Sequence, residues 1–520
     1  MQRRAVALCL AAVAATGGAT CRRPSPAEVL SAPAVVSIGV AQPRRGVAPD
    51  IGVAGVALLL QGASLLTPGP GGRPQPALAE RWETSADGLT WRLALRRGLA
   101  FHDGTSLDAA AVRDLLQPDP GQPELRIPPG LRDIVGVDAP RDDEVVVRLR
   151  QPSSLLLEAL TLLPVRGGGD GRSGAGPFTL AASAPGQTSL RAFDRFYRGP
   201  PAVARVELRS YSTQRAAWGA MMRGEIDALY DVEPDALAFL QAGANARAFT
   251  FLRPYVYLVG FNLAHPVLAR HDVRVALNHA VDRQVVVARA LGGRGVAASG
   301  HVWPRFWAFD TTVQPPAHHP ARARRLLDEA GLTMAATGLA AIEGGHAPSR
   351  FRLTALLPAD YPLLERLALV VQKELADVGV DLALEPVAPV ELQQRLATGR
   401  FEAYINEMAA GQGMNWPYWF WHSAPGDVWV RSGYTGADAT LDRLAVARSD
   451  DELRAGVAAF QRVLVHDPPG LFLGWSETSR AVRREFEVAP EGDRDIMGTL
   501  PQWRLAAAAP GVAPTRGARR

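Results

Sequence analysis

The residue patterns that most often mark enzymes are missing from this 520-residue sequence. It contains no H-E-x-x-H pair, no C-x-x-C, no G-x-S-x-G nucleophile elbow and no P-loop. Its one lysine, Lys373, follows Gln372, whereas the lysine of a P-loop follows glycine. We therefore predict no catalytic residue and no enzyme, and an exported hydrolase with a scattered triad stays as a minor alternative.

Two other patterns could bind phosphate or metal, and their surroundings argue against both. Gly169–Gly174 matches G-x-G-x-x-G, but it leads into a predicted strand from Pro177 and not into a helix whose N-terminus could hold a phosphate. His318 and His319 have no carboxylate or third histidine at metal-ligand spacing. The sequence thus predicts a flexible loop and a helix-leading loop, with no cofactor and no metal site.

The first twenty residues predict export. Arg3 and Arg4 follow Met1 and Gln2, Ala5–Ala15 carries no charge, and small residues lead up to Cys21. This order is that of a secretory signal, which is too short to be a stable membrane-spanning helix. Cys21 stands where a lipoprotein signal places its acylated cysteine, although Thr20 departs from the usual Gly or Ala before it. We expect Cys21 to be lipidated.

Cysteine and charge counts set further limits. Cys9 lies inside the predicted signal, so the mature chain keeps Cys21 alone and cannot form an intramolecular disulfide. The full chain has 56 basic and 52 acidic groups, and removing two signal arginines leaves 54 against 52. The arginines are scattered among acidic residues instead of forming a stripe. This nearly neutral protein is not predicted to bind nucleic acid.

The elements that would position a site mix strands with helices. Val35–Val40, Thr90–Leu95 and Val145–Leu149 have the alternating or β-branched pattern of strands. Apolar residues recur every four positions over 363–375, which predicts a helix that Gly379 would end before another strand. Such helix-to-strand units are typical of an α/β protein.

Six groups of short segments, in order along the chain, resemble the signatures of one protein family. The closest match is the first group, which runs through Asp103-Gly104-Thr105. The segments are Pro76–Glu83, Asp87–Thr90, Leu95–Thr105, Val137–Val145, Gly174–Phe178, Met222–Asp227, Gly260–Leu263, Val273–Leu277 and Ala280–Arg283. Together they cover about residues 35–505 and are similar to family 5 extracytoplasmic solute-binding proteins, the peptide- and nickel-type substrate-binding proteins of ABC transporters.

The resemblance implies an α/β, two-lobed periplasmic-binding-protein-like fold of type II, with two strands that cross between the lobes and a subdomain inserted in lobe one. The expected parts are a signal peptide (1–20), a tether (21–34), lobe one (35–262 plus 477–506, with the inserted subdomain at about 50–173), lobe two (263–476) and a disordered tail (507–520).

Proteins of this family bind a ligand without transforming it. The resemblance implies capture of a small solute, peptide-like or another organic molecule, and its delivery to an ABC permease with its ATPase subunits. Because such a ligand contacts both lobes only when they close, binding shifts the hinge equilibrium. We expect a monomer in the periplasm or on the outer face of a bacterial membrane. A sensory or chaperone-like binding protein of the same fold is the alternative.

The resemblance also places a ligand segment at Ala409–Trp421. Peptide-binding members carry an aspartate there that anchors the ligand's ammonium group, and the equivalent position falls near Gly413. A buried ammonium without that ion pair is costly, so a standard peptide is not predicted. The side chains expected to form an aromatic, apolar or sugar-binding surface, with one polar amide, are Met414, Asn415, Trp416, Tyr418 and Trp419. The alternative is that these aromatics build the core of lobe two, which we favour for Phe420 and Trp421.

A second group of candidates lies at the predicted crossover between the lobes. Asn262 occupies the position at which family members contact ligand, and a turn residue that bonds its own backbone is the alternative. Tyr255 and Tyr257 approach the same hinge, and one of them is expected to face the cleft. For His422, beside the tryptophans, a rim position and a ligand contact both stay open.

Overall fold

The computed structural model describes residues 34–41, 52–117, 128–169, 173–232, 234–242, 245–334, 340–342, 349–424, 429–490, 492 and 494–506. The predicted signal peptide, Cys21 with its predicted lipidation and the predicted tail lie outside the described residues, as does all but the last residue of the predicted tether.

The strands form one large mixed sheet and several small ones. In chain order they are β1 (Ala34–Ala41), β2 (Leu66–Pro68), β3 (Pro74–Pro76), β4 (Ala79–Thr84), β5 (Thr90–Leu95), β6 (Ile134–Arg141), β7 (Glu144–Leu149), β8 (Phe178–Ala184), β9 (Gln187–Ala192), β10 (Val203–Tyr211), β11 (Ala228–Leu229), β12 (Ala246–Phe261), β13 (Gly295–Ala297), β14 (Leu332–Met334), β15 (Ala340–Ile342), β16 (Ser349–Arg350), β17 (Arg352–Pro358), β18 (Asp381–Val387), β19 (Ala403–Ala409), β20 (Gly470–Arg483), β21 (Phe486–Glu487) and β22 (Arg504–Leu505).

The helices lie between these strands and pack on the sheets. In chain order they are α1 (Val53–Gln61), α2 (Ala109–Leu116), α3 (Leu156–Leu162), α4 (Gln214–Met222), α5 (Pro234–Ala242), α6 (His271–Ala280), α7 (Arg283–Arg289), α8 (Pro320–Glu329), α9 (Pro362–Ala376), α10 (Pro389–Thr398), α11 (Asn415–Trp421), α12 (Asp438–Ala445) and α13 (Asp450–His466). Short 3₁₀ turns occupy Pro70–Gly72, Pro129–Leu131 and Ile496–Gln502.

One end of the large sheet belongs to lobe one. There β1 pairs in parallel with β10 and β11, and β9 and β8 extend the edge antiparallel. Val36, Ile38 and Val40 are buried on one face of β1, because alternate side chains of a strand point to the same side. They join a core that includes Leu60 of α1 and Trp503 near the end of the described chain.

The other end of the large sheet belongs to lobe two. There β17 lies in parallel between β18 and β19. The helix predicted over 363–375 is confirmed as α9, and its buried face includes Leu367 and Val371. Gly379 follows the helix with a φ of 89°, a conformation that glycine adopts without a steric penalty, and it turns the chain into β18.

Two long strands, β12 and β20, join the lobes. They contain 16 and 14 residues, whereas an average strand has about five or six. β20 pairs with β11 of lobe one, β12 pairs with β19 of lobe two, and the two strands pair with each other on both sides of an interruption. The interruption lies between Leu252 and Val256, and we call it the hinge. The two crossover strands confirm the predicted two-lobed fold.

A separate four-stranded antiparallel sheet, in the order β4-β5-β7-β6, lies in the inserted subdomain. Its core contains Leu93, Val145 and Leu156, so helix α3 packs on this sheet. Asp108 caps α2 by accepting a hydrogen bond from the backbone N–H of Ala111 at 3.0 Å. The boundaries given above for lobes and subdomain stay a prediction.

Candidate functional site

The segment that follows β19 lies beside the hinge and against the inserted subdomain. The backbone N–H of Ala410 donates to the carbonyl of Pro254 at 2.9 Å, which holds the start of the segment next to β12. Gly72 of the inserted subdomain approaches so closely that a Cβ atom there would clash with the backbone of Gln412. The first part of the predicted ligand segment is therefore covered by lobe one in this structure.

Glu158 of α3 binds the middle of that segment through its carboxylate. Its carboxylate accepts hydrogen bonds from the backbone N–H groups of Met414, at 2.7 Å, and Asn415, at 3.1 and 3.2 Å. A Cβ atom on Gly413 would clash with the same carboxylate. The segment Ala409–Trp421 contains no carboxylate of its own, and Glu158 supplies one to the space beside Gly413. Burial raises the pKa of Glu158, and the backbone hydrogen bonds oppose that shift.

Asn415 also joins the two lobes. Its side-chain oxygen accepts a hydrogen bond from the backbone N–H of Gly130 at 2.9 Å, and its amide nitrogen donates to the carbonyl of Leu155 at 3.0 Å. The residue is 1% exposed. These bonds use its donor and acceptor within the protein, so the ligand role assigned to Asn415 stays a prediction that this geometry does not favour.

The aromatic side chains of α11 form one stacked group. The ring centroids of Trp416 and Trp419 lie 5.3 Å apart, and those of Trp416 and Phe420 lie 5.9 Å apart. Trp429 packs edge-on against Trp419 at 5.9 Å. All four rings are half-buried, so the cluster still presents surface on which a planar ligand group could stack. Trp421 is buried and lies in the core of lobe two, as predicted.

Tyr418 and His422 stack on each other at the other side of α11, with ring centroids 4.7 Å apart. The hydroxyl of Tyr418 donates to Asp442 at 3.4 Å, and Nε2 of His422 lies 3.0 Å from the same carboxylate oxygen. Burial, with the nearby charge of Asp442, raises the pKa of Tyr418 to about 12. Asp442, in α12, thus holds both rings in place.

His301 fixes the end of β19 and the orientation of α11. It is fully buried, its Nδ1 accepts a hydrogen bond from Trp421 at 2.6 Å, and its Nε2 lies 3.1 Å from the carbonyl of Ala409. With Nδ1 as an acceptor, Nε2 must carry the ring proton. Burial lowers the pKa of His301 to about 3, so the ring is neutral at ordinary pH.

The hinge carries a charged pair. Arg253 Nη1 lies 3.3 Å from Glu407 Oε2, and the guanidinium is also 4.7 Å from the ring centroid of Tyr255. The Glu407 side chain is 3% exposed and that of Arg253 is 29% exposed. Tyr255 is half-buried, whereas Tyr257 is fully buried and its hydroxyl lies 3.2 Å from Ser476 Oγ. Of the two tyrosines, Tyr255 is the one with exposed surface.

Asn262 lies away from this group. Tyr255 pairs with Ala409 at one end of β19, whereas Phe261 pairs with Ala403 at the other, a separation of roughly 20 Å along a seven-residue strand. The amide of Asn262 donates to two backbone carbonyls at 3.0 and 2.7 Å and accepts from Ala264 N–H at 3.0 Å. This geometry is that of the turn alternative, and a ligand role for Asn262 stays a prediction.

Three charged residues of this region were not predicted. Each is a lone charge in an otherwise apolar stretch: Glu158 among the leucines of 155–163, Arg253 within 248–261, and Glu407 within β19. Because charged residues are rarely buried without a partner or a function, that isolation is the signal that could have identified them.

Neither a metal cluster nor a membrane span is found in the described part of the chain. No three His, Cys, Asp or Glu side chains there are grouped to hold a metal ion. No helix there is both long and apolar enough to cross a bilayer. His319, in the predicted helix-leading loop, caps α8 through a 3.1 Å hydrogen bond from the backbone N–H of Arg322.

The family model of the bacterial extracellular solute-binding proteins, family 5 Middle, matches residues 73–427. The chain belongs to this family. Family 5 proteins are the substrate-binding components of ABC importers, so this chain is one of them, and its relatives are binding proteins and not enzymes. The family is extracytoplasmic, which agrees with the predicted export.

Individual relatives of this family 5 protein are distant. The probable D,D-dipeptide-binding periplasmic protein DdpA of Escherichia coli K12 is 26% identical over 440 residues, which is 79% of this chain and 81% of DdpA. NikA from Brucella suis, solved with Fe(III)-EDTA, has a TM-score of 0.76 at 22% identity, covering 90% of this chain and 100% of NikA. The oligopeptide-binding protein AppA from Bacillus subtilis, solved with a nonapeptide, has a TM-score of 0.75 at 18% identity, covering 91% and 99%.

Proposed function

We propose that this family 5 protein binds a small organic solute where the segment after β19 meets the hinge, and releases it to an ABC permease. Structures of similar fold hold ligands as different as a nonapeptide and Fe(III)-EDTA, so the ligand must be inferred from this chain's own residues. The observation that carries the proposal is the half-buried cluster of Trp416, Trp419 and Phe420, which is linked to the hinge because Trp416 lies against Gly411 and the neighbouring Ala410 is hydrogen-bonded to Pro254.

The two parts of this site suit different portions of a solute. Stacked tryptophans offer flat apolar surface to a ring or to the apolar face of a sugar. Arg253 has five N–H donors, of which the hydrogen bond to Glu407 uses one, so its guanidinium can donate to a ligand oxygen. Because Gly72 of lobe one already lies against Gln412 of the same segment, closure brings lobe one against a ligand held by both parts, which couples its binding to closure.

The proposal is tested by mass spectrometry of the small molecules released when the protein is purified from its native host. We expect one organic compound at near-stoichiometric amount, and loss of its uptake when the gene is deleted. Purified protein that carries no compound, or a deletion that leaves uptake intact while a signalling response is lost, would contradict import and favour the sensory alternative. Turnover of the compound by the purified protein would favour the hydrolase alternative.

We propose further that the mature protein is a monomer anchored outside the membrane through a lipid on Cys21. The measurement is the mass of the N-terminal peptide, which should begin at Cys21 and carry acyl chains. Cys21→Ser should then move the protein from the membrane fraction to the soluble fraction, whereas an unmodified N-terminal peptide would contradict anchoring.

A further inference from the structure

A cleft of about 390 Å³ lies between the inserted subdomain and lobe two and reaches Met414, the residue that precedes α11. Trp82 and Trp91 line it from the inserted sheet, and Phe306 and Trp307 line it from lobe two. Glu158 also lines it, together with Met414, to whose N–H it is bonded. The cleft thus combines aromatic walls with the carboxylate that joins the two lobes.

The other charges of the cleft are compensated. Arg73 is paired with Asp450 at 2.7 Å, both side chains are about half exposed, and the Arg73 guanidinium lies 3.7 Å from the ring centroid of Trp307. Arg448 is exposed and faces Asp87, whose pKa is lowered mainly by a hydrogen bond from Ser85 and to a smaller extent by the charge of Arg448. Of the charged residues that line the cleft, Glu158 is then the one without an opposite charge nearby.

Glu158 has hydrogen bonds but no counter-charge. Within the described part of the chain, no basic side chain forms an ion pair with it, and no nearby charge contributes to the shift of its pKa, which desolvation raises. Glu158 is half-buried, and a carboxylate that is partly removed from water without a cation is destabilised, so a positive charge beside it relieves that cost. Its two oxygens offer about four acceptor positions, of which two backbone N–H groups use two or three.

We infer that this cleft binds an organic cation, with Glu158 as the counter-charge and the aromatic walls packed against the rest of the molecule. Carboxylates and aromatic faces both attract ammonium groups, the latter through the negative face of the ring. The inference rests on the proposed function of solute binding and adds the charge of the solute. Because both the inserted subdomain and lobe two line the cleft, the cation would also favour the closed arrangement.

The test compares two probes of nearly equal shape, 2-phenylethylamine and 2-phenylethanol, which differ in charge at pH 7.5. Their affinities for the full mature chain are measured by titration with tryptophan fluorescence and NMR saturation transfer. We expect the amine to bind at least about tenfold more tightly than the alcohol. Glu158→Gln should remove this preference by weakening the amine alone, and Trp307→Leu should weaken both probes.

Glu83→Gln is the matched control, because it removes one exposed carboxylate from the same inserted sheet and should leave both affinities unchanged. If Glu158→Gln does not fold, Glu158→Asp keeps the charge but withdraws it by one methylene group and should weaken the amine alone. Equal affinity of the two probes for the wild type, absence of binding included, or an unchanged preference in a folded Glu158 variant would overturn the inference. A released native compound that is neutral and imported would overturn it too, and would leave the proposed function standing.

Discussion

Arg253 and Glu407 form an ion pair, with Nη1 and Oε2 3.3 Å apart, at the register interruption between the two crossover strands. Arg253 lies in β12 inside the register interruption. Glu407 lies in β19, the strand of lobe two that pairs with β12. The pair therefore ties the hinge to one lobe. A hinge that carries a buried charge must keep its partner through opening and closing, since a separated pair would leave Glu407 desolvated.

Removing the arginine should lower the stability of the protein. Arg253→Met leaves the buried Glu407 carboxylate without its partner, and we expect the free energy of unfolding to fall by about 2 kcal/mol, below the 3–5 kcal/mol of a fully buried pair because Arg253 is partly exposed. Urea denaturation followed by circular dichroism measures the change. The double variant Arg253→Met/Glu407→Gln should recover most of it, and a double variant less stable than Arg253→Met would speak against the pair.

His301 should make the protein sensitive to acid. Its pKa is about 3 in the folded protein and about 6.5 in the unfolded chain, so the unfolded state binds more protons between these values. The contribution of His301 to the free energy of unfolding is therefore fully present above pH 6.5 and is lost as the pH falls below that value. Between pH 7.5 and 5 the wild type should lose about 2 kcal/mol more than His301→Gln. Urea titrations of the wild type and His301→Gln at both pH values measure this difference. Equal losses of stability in the two proteins would contradict a buried, neutral His301.

Glu158 should make the protein less stable as the pH rises, which is the opposite of the effect of His301. Its folded pKa is raised by burial, so the folded state binds its proton more tightly and stability declines as the pH rises above the ordinary carboxyl range. We expect the free energy of unfolding of the wild type, relative to Glu158→Gln, to decrease from pH 4 to pH 7. A difference that stays constant over this range would show that Glu158 is not desolvated in solution.

Substitution of Asn262 should change mainly the stability of the protein, and substitution of Trp416 should change mainly its affinity for the ligand. Asn262→Ala leaves two buried carbonyls and one N–H without their partners and should cost about 1–3 kcal/mol of stability, with little effect on ligand affinity. Trp416→Ala removes a stacking surface and should weaken binding of the native ligand by roughly tenfold. Thermal unfolding and calorimetric titration of both variants make the comparison. Unchanged affinity in Trp416→Ala would remove the aromatic cluster from the site.

Local patterns predicted the elements of this fold better than they predicted its contacts. The four-residue spacing over 363–375 depends on neighbours in sequence, and the helix that it predicts is confirmed. The contact between Glu158 and the segment at Met414 joins residues 256 positions apart, which no local pattern specifies. Asn262 was placed by family position alone, and its neighbours along β19 show why it lies far from Trp416.

The measurement that tests the central claim most directly is the distance between the lobes with and without ligand. Leu180 of β8 and Val390 of α10 are exposed, one in each lobe, and can be changed to cysteine for spin or dye labels in a Cys21→Ala background. Adding the small-molecule fraction released from native protein should shift the distance distribution from a broad to a narrow, shorter population. A single distribution that does not respond to this fraction would contradict a hinged protein that closes on its solute.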